Sequence, residues 1–223
     1  MKRFSVSTAV LLAACLTPAA WSQSGRLALA AKAGTLGLGG ELSVNVLTDL
    51  NCRFGATVLD VGFDSQVADI DYDFDLDLQA FPLMVDWYPF DDAFHISAGI
   101  ILNETDIGLD AEYAGLVTIG NVTYPGNQVG ILSGDLSFDP VAPYIGIGWG
   151  NAFGSRRRWG FMTDFGVAFI GSPDVTLTAT GPLAVAADPA FLANLAREQE
   201  DLEDDLSDFK VYPVLSVSLF LRF

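Results

Sequence analysis

Residues 35–46 read TLGLGGELSVNV. The even positions are Leu36, Leu38, Gly40, Leu42, Val44 and Val46, and the odd ones are Thr35, Gly37, Gly39, Glu41, Ser43 and Asn45. Successive side chains of a β-strand point to opposite faces, so this alternation predicts a strand with one apolar and one polar face. The C-terminal stretch repeats the pattern: Val211, Pro213, Leu215, Val217, Leu219, Leu221 and Phe223 on one face, Ser216, Ser218 and Arg222 on the other. Between them, Phe94, Ile96, Ala98, Ile100 and Leu102 oppose His95, Ser97 and Gly99, while Phe161, Phe165, Val167 and Phe169 oppose Asp164, Gly166 and Ala168. Faces suited to lipid on one side and a polar lumen on the other are the unit of a transmembrane β-barrel.

Composition agrees. The 223 residues carry a formal net charge of −17 and are 51% hydrophobic, with a mean hydropathy of +0.37. A membrane helix needs about 20 consecutive apolar residues, and beyond the first two dozen positions every apolar run is broken within a few residues. A closed barrel is the other way to satisfy every backbone group in a bilayer. The start of the chain has the form of an export signal, with Lys2 and Arg3 before an apolar stretch from Val6 to Leu16 and Ala20-Trp21-Ser22 as a cleavage site before Gln23. Residues 1–22 are therefore expected to be a signal peptide and 23–223 the barrel domain. Leu12-Ala13-Ala14-Cys15 offers the competing lipobox reading, in which Cys15 carries lipid. With Cys15 removed, Cys52 is the sole thiol and no internal disulfide forms. The acidity argues against a nucleic-acid partner.

Seven strands are expected at 35–48, 52–60, 71–88, 93–109, 129–149, 159–171 and 210–223, with a weak eighth from Arg26 through Lys32 to close the ring. Turns at 49–51, 89–93 and 151–158 are short and hence periplasmic, while connections at 59–70, 112–128 and 172–208 are long and hence extracellular. Trp87, Tyr88, Phe90, Trp149 and Trp159 then form an aromatic girdle at the periplasmic rim, where Arg156, Arg157 and Arg158 also fall. From Asp188 to Phe209 a helix is expected, capped by Asp188 with Pro189 in its first turn. Leu192, Leu195, Leu202, Leu206 and Phe209 make its apolar stripe and Glu198, Glu200, Asp201, Glu203, Asp204 and Asp205 its acidic face. Packing on or over the outer mouth suits it; partner binding is the alternative. The expected fold is all-β: an eight-stranded antiparallel transmembrane β-barrel with one short helix in the last extracellular loop.

Two constellations invite chemistry. Asp69, Asp71, Asp73, Asp75 and Asp77 alternate with Ile70, Tyr72, Phe74, Leu76 and Leu78, which sets five carboxylates on one side of a strand. A calcium loop fails here, because its sixth position would be Phe74 rather than glycine and its twelfth Ala80 rather than glutamate. A solvated or lumen-facing polar face is the simpler expectation, with inward carboxylates pairing to Arg53 and Arg222. His95 and Ser97 share the polar face of another strand. One histidine and one mature cysteine give no conventional zinc site. No catalytic, cofactor or metal residue is expected.

The terminal Phe223, with apolar residues at alternate positions before it, resembles the assembly signal of bacterial outer-membrane proteins. Segments such as Lys32-Ala33-Gly34-Thr35-Leu36-Gly37 and Ala142 to Asn151 resemble small barrels of the OmpA transmembrane-domain, OmpX and OmpW type, in an uncharacterised branch. The resemblance covers about 200 residues and implies a bacterial outer-membrane location. The partners it implies are outer-membrane lipid, lipopolysaccharide and, through the last strand, the barrel-assembly machinery. It implies a non-enzymatic envelope or surface-interaction protein, with an OmpW-like transport or small-ligand barrel as the alternative. The H-x-S pair resembles lipid A 3-O-deacylase barrels, with Glu104 or Glu112 as a third member, but lumen-facing side chains without an oxyanion-hole donor argue against a hydrolase. Because the outer leaflet is anionic, divalent cations are expected to bridge it to the acidic loops.

Overall fold

The structure, a computed structural model, describes residues 26–67, 70–90, 93–113, 115–154, 157–185 and 187–223. The expected signal peptide, Cys15, Asp69 and Arg156 lie outside them. The described residues form twelve strands: β1 (Leu27–Gly34), β2 (Gly37–Leu47), β3 (Leu50–Val67), β4 (Ile70–Trp87), β5 (Phe94–Tyr113), β6 (Leu116–Ile119), β7 (Val122–Pro125), β8 (Ile131–Ser137), β9 (Val141–Trp149), β10 (Trp159–Phe169), β11 (Asp174–Ala179) and β12 (Val211–Arg222). Eight of them, β1-β2-β3-β4-β5-β9-β10-β12, form a closed antiparallel ring. Its closure runs from Ala28 opposite Arg222 to Gly34 opposite Ser216, and Phe223 N donates to Leu27 O at 2.9 Å.

The alternation decides which side each residue faces. Leu38, Val46, Phe54, Val58, Phe81, Val85, Ile145, Trp149, Phe161, Phe169, Val211, Leu215, Leu219 and Phe223 are exposed on the outside. On β9 and β10 this apolar belt extends over 9 and 11 residues, the length of about 9–11 that a tilted strand needs to cross a bilayer. Two expectations change. Leu36 sits in the β1–β2 turn and packs inward against Leu78 and Tyr144. Tyr88 leaves the girdle: Trp87, Phe90, Trp149 and Trp159 are exposed at the rim, while Tyr88 is buried, its ring centroid 5.2 Å from that of His95 and tilted to it by 46°.

The barrel wall is uneven in height. Pairing of β2 with β3 ends at Leu38–Val58, yet β3 and β4 stay paired to Val67–Ile70, so most of the expected loop at 59–70 is strand. The expected strand at 129–149 is interrupted after Ser137, but both halves keep one register on β5: Leu102 faces Val141, and four residues farther along each chain Asp106 faces Ser137. The next strand also continues, as β11, after a one-residue slip between Ala168–Tyr144 and Asp174–Ser137. Beyond the belt, β3, β4, β5, β8 and β11 thus rise as an open five-stranded sheet at the end opposite the turns at 49–51, 89–93 and 151–158.

Helix α3 (Pro189–Leu206) is 18 residues long, not short, and two single turns, α1 (Gly126–Val129) and α2 (Pro182–Val185), accompany it. Asp188 caps α3 as expected, accepting from Ala190 N and Phe191 N. Its buried stripe begins at Phe191, Asn194 and Leu195, and Leu192 is exposed. Instead of covering the mouth, α3 lies along the free edge of β11: Gln199 Oε1 accepts from Leu177 N and Glu203 Oε1 from Val175 N, both at 3.3 Å. Residues four apart on a helix rise about 6 Å, and residues two apart on a strand about 6.6 Å, so two acceptors meet two edge donors. Glu198 Oε2 also accepts from Gly120 N at 2.7 Å. Glu198 and Glu203 therefore belong to the contact face rather than the solvated acidic one. Phe191 and Leu195 close a small core with Val117, Ile119 and Val129.

Candidate functional site

Inward-facing residues of six ring strands converge on Arg53. Its Nε lies 2.6 Å from Asp86 Oδ2, its Nη2 2.9 Å from Asp164 Oδ1 and its Nη1 3.2 Å from Glu41 Oε1. Lys32 Nζ is 2.9 Å from Glu41 Oε2 and 3.5 Å from Asp164 Oδ2. Ser97 Oγ donates to Asp86 Oδ1 at 2.7 Å and accepts from Arg53 Nη2 at 3.2 Å. Ser216 Oγ donates to Asp164 Oδ2 at 3.1 Å, and His95 Nε2 is 3.1 Å from Asp164 Oδ1. Arg53 is 2% exposed and His95, Ser97 and Asp86 are 0% exposed, so the cluster is cut off from solvent.

Two basic side chains thus face three carboxylates, and each carboxylate touches Arg53. A planar guanidinium with five donors suits this junction, since it can bond several carboxylates in fixed directions. Burying such charges is costly unless each is paired and hydrogen-bonded, and here the pairing spans β1, β2, β3, β4, β5, β10 and β12. The cluster therefore ties distant strands across the lumen.

Apolar layers lie on either side. Toward the tall end, Leu78, Ala80, Met84, Ile101, Ala142, Tyr144, Ala168 and Val214 pack together with Leu36. Toward the short-turn end, Ala28, Ala30, Ala152, Met162 and Phe220 do the same. Glycines make room for the large side chains: a Cβ on Gly148 would lie 2.3 Å from His95 Nε2, and one on Gly166 2.3 Å from the Tyr144 hydroxyl. Gly55 likewise accommodates the Pro82 ring. At the short-turn rim, a cleft of about 510 Å³ is lined by Arg157, Trp159 and Phe220 among others, but not by Arg53.

The sequence-derived candidates separate cleanly. His95, Ser97, Glu41 and Asp164 come together in the lumen as expected of their strand faces. Ser216, placed on the polar face of the last strand, joins them too, as do Lys32 and Asp86, to which sequence reasoning gave no lumen role; their strand phase, alternate to Leu29 and Val85, was the available signal. His95 and Ser97 each engage a different carboxylate, and Glu104 and Glu112 are exposed on the outer face, so no hydrolase triad assembles from them. The acidic ladder is outward and solvated where it is described: Asp73, Asp75 and Asp77 are exposed. The carboxylates on Arg53 are instead Glu41, Asp86 and Asp164, and Arg222 donates to Ala152 O and Phe153 O at 3.4 Å. Among the described residues no three His, Cys, Asp or Glu side chains converge to hold a metal ion, and no helix is long and apolar enough to cross a membrane.

No family model matches the chain, and no curated protein matches it. Solved structures do. The chain is similar to CarO of Acinetobacter baumannii (TM-score 0.56) and to CarO2 of the same organism (TM-score 0.58), each at 19% identity and covering 89% of this chain and 98% of the other. A major outer membrane protein from Thermus thermophilus aligns at a TM-score of 0.41 and 13% identity, covering 89% of this chain and 99% of that one, too loosely to carry an argument. At 19% identity the likeness shows the fold alone, an antiparallel β-barrel.

Proposed function

We propose that the chain is a non-enzymatic outer-membrane barrel that serves envelope structure or surface interaction, with its short turns in the periplasm and its tall sheet outside the cell. The observation that carries this reading is the Arg53 cluster between two apolar layers: an eight-stranded barrel is narrow enough for side chains to fill, and these do so with charges held in place by mutual pairing. The apolar belt and the exposed Trp87, Trp149 and Trp159 at one rim support a membrane seat. The partners that fit are outer-membrane lipid and lipopolysaccharide around the belt, and the assembly machinery at the strand ending in Phe223. Divalent cations between an anionic leaflet and the acidic outer face fit as well.

Planar-bilayer recording of the refolded protein tests the reading. The filled lumen predicts no steady conductance. A stable ohmic conductance from the unmodified protein would transfer the assignment to the transport class.

A further inference from the structure

The tall sheet has two edges, and the molecule treats them differently. The edge at β11 is covered by α3 through Gln199 and Glu203. The other edge is β3 beyond Val58, where pairing with β2 has stopped and β4 occupies only one side. Tyr88 N donates to Asp49 O at 2.8 Å, so the odd residues of β3 turn their N–H and C=O groups toward β4. By alternation Asp60, Gly62, Asp64 and Gln66 turn theirs to the free edge. No proline, lysine or bulge blunts this stretch; of the usual edge protections it carries only acidic side chains, at Asp60 and Asp64.

Charge narrows what can add there. Between Arg53 and Arg156 the sequence contains sixteen Asp and Glu and no Lys or Arg, so this segment cannot neutralise itself. Register sets Asp60 opposite Asp77, and both are exposed. Like charges directly opposite one another destabilise a sheet. A second copy on this edge would add to that repulsion; a cationic strand would relieve it.

We infer that the free edge of β3, from Leu59 to Val67, takes up an extended basic peptide segment as an added strand. The inference rests on the surface-interaction reading above. Pairing would satisfy the edge backbone groups, basic side chains would fall on the face that bears Asp60 and Asp77, and apolar ones would fall beside Val61 on the other face.

The test uses the full barrel refolded in detergent and a short peptide alternating lysine and valine. Its control is the same peptide with N-methylated lysines, which keeps the charge but cannot donate to the edge. Binding is read by fluorescence anisotropy. The parent peptide is expected to bind at least about tenfold more tightly than the N-methylated one, the worth of one or two backbone hydrogen bonds. Gly62→Pro, which removes an edge N–H and no β3–β4 bond, should reduce parent binding to the level of the control. The double variant Asp60→Asn/Asp77→Asn should weaken both peptides and flatten their salt dependence. Equal binding of the two peptides, or none by the parent, overturns the inference, as does edge-to-edge dimerisation of the barrel without peptide. A conducting lumen would sink the function proposed above while leaving this result intact.

Discussion

Carboxylates lie on both sides of this sheet, and the two sets obey opposite rules. Inside the barrel Glu41, Asp86 and Asp164 are buried and each lies within 3.2 Å of an Arg53 nitrogen. Outside, on the tall sheet, Asp60, Asp75 and Asp77 are exposed in a segment without a cation of its own. The same side chain is thus a cross-strand tie where water is excluded and a solvated, mutually repelling surface where it is not. Low effective dielectric makes the paired set costly to disturb, and high dielectric with salt makes the unpaired set tolerable.

The largest way to break this contrast is Arg53→Met. Three carboxylates would lose their shared partner at once, and removing one member of a buried ionic set costs about 3–5 kcal/mol. Denaturant unfolding in detergent or lipid should show a loss of that size. A change below about 1 kcal/mol, the scale of an exposed pair, would mean that the lumen is wet.

Uncapping the β11 edge should do less. Gln199→Ala and Glu203→Ala each leave a strand N–H without its acceptor, for about 1 kcal/mol apiece. Because α3 lies outside the belt, proteolysis of the tall end should accelerate while the membrane-embedded strands stay protected. Uniform destabilisation would place α3 in the barrel's main cooperative unit.

Smaller and of opposite sign is Asp77→Asn, which removes one of two directly opposed charges. It should stabilise by about 0.2–1 kcal/mol, and the gain should shrink with added salt. Millimolar Mg²⁺ should raise the thermal stability of the unmodified barrel in anionic lipid beyond what monovalent salt of matched ionic strength achieves, and Asp77→Asn should blunt that rise. Identical shifts with both salts would leave screening without bridging.

How far the sequence foretold this molecule follows from the same contrast. The ring was legible because each belt strand alternates over enough residues to declare its faces, as in 35–46 and 211–223. The faces of Glu41, His95, Ser97 and Asp164 were legible for the same reason. Pairing of inward carboxylates with Arg53 was expected from a filled lumen; which carboxylates reach it, and that Arg222 bonds backbone carbonyls instead, was not legible, since that depends on the stagger between strands and no single strand encodes stagger. The tall parts of β4, β5 and β8 were largely legible in the expected strands at 71–88, 93–109 and 129–149, whereas the upper half of β3 was hidden because Gly62, Asp64 and Ser65 resemble loop composition, and β11 because it falls in the expected connection at 172–208. Helix α3 was found, but its contact face was misassigned: Glu198, Gln199 and Glu203 are polar, and an apolar-stripe criterion cannot see a face that binds strand N–H groups.

A barrel seated in the membrane by its apolar belt, with the tall sheet outside, requires the continuous strand β4 to pass from lipid to solvent, and the change from Phe81 to Gln79 on its outer face marks the boundary. Single cysteines at the outward positions 77, 79, 81, 83 and 85, introduced one at a time with Cys52→Ser and probed on intact cells with a membrane-impermeant maleimide, test it most directly. The account predicts strong labelling at 77 and 79 and protection at 81, 83 and 85. Labelling at 85, or protection at 77, would contradict it.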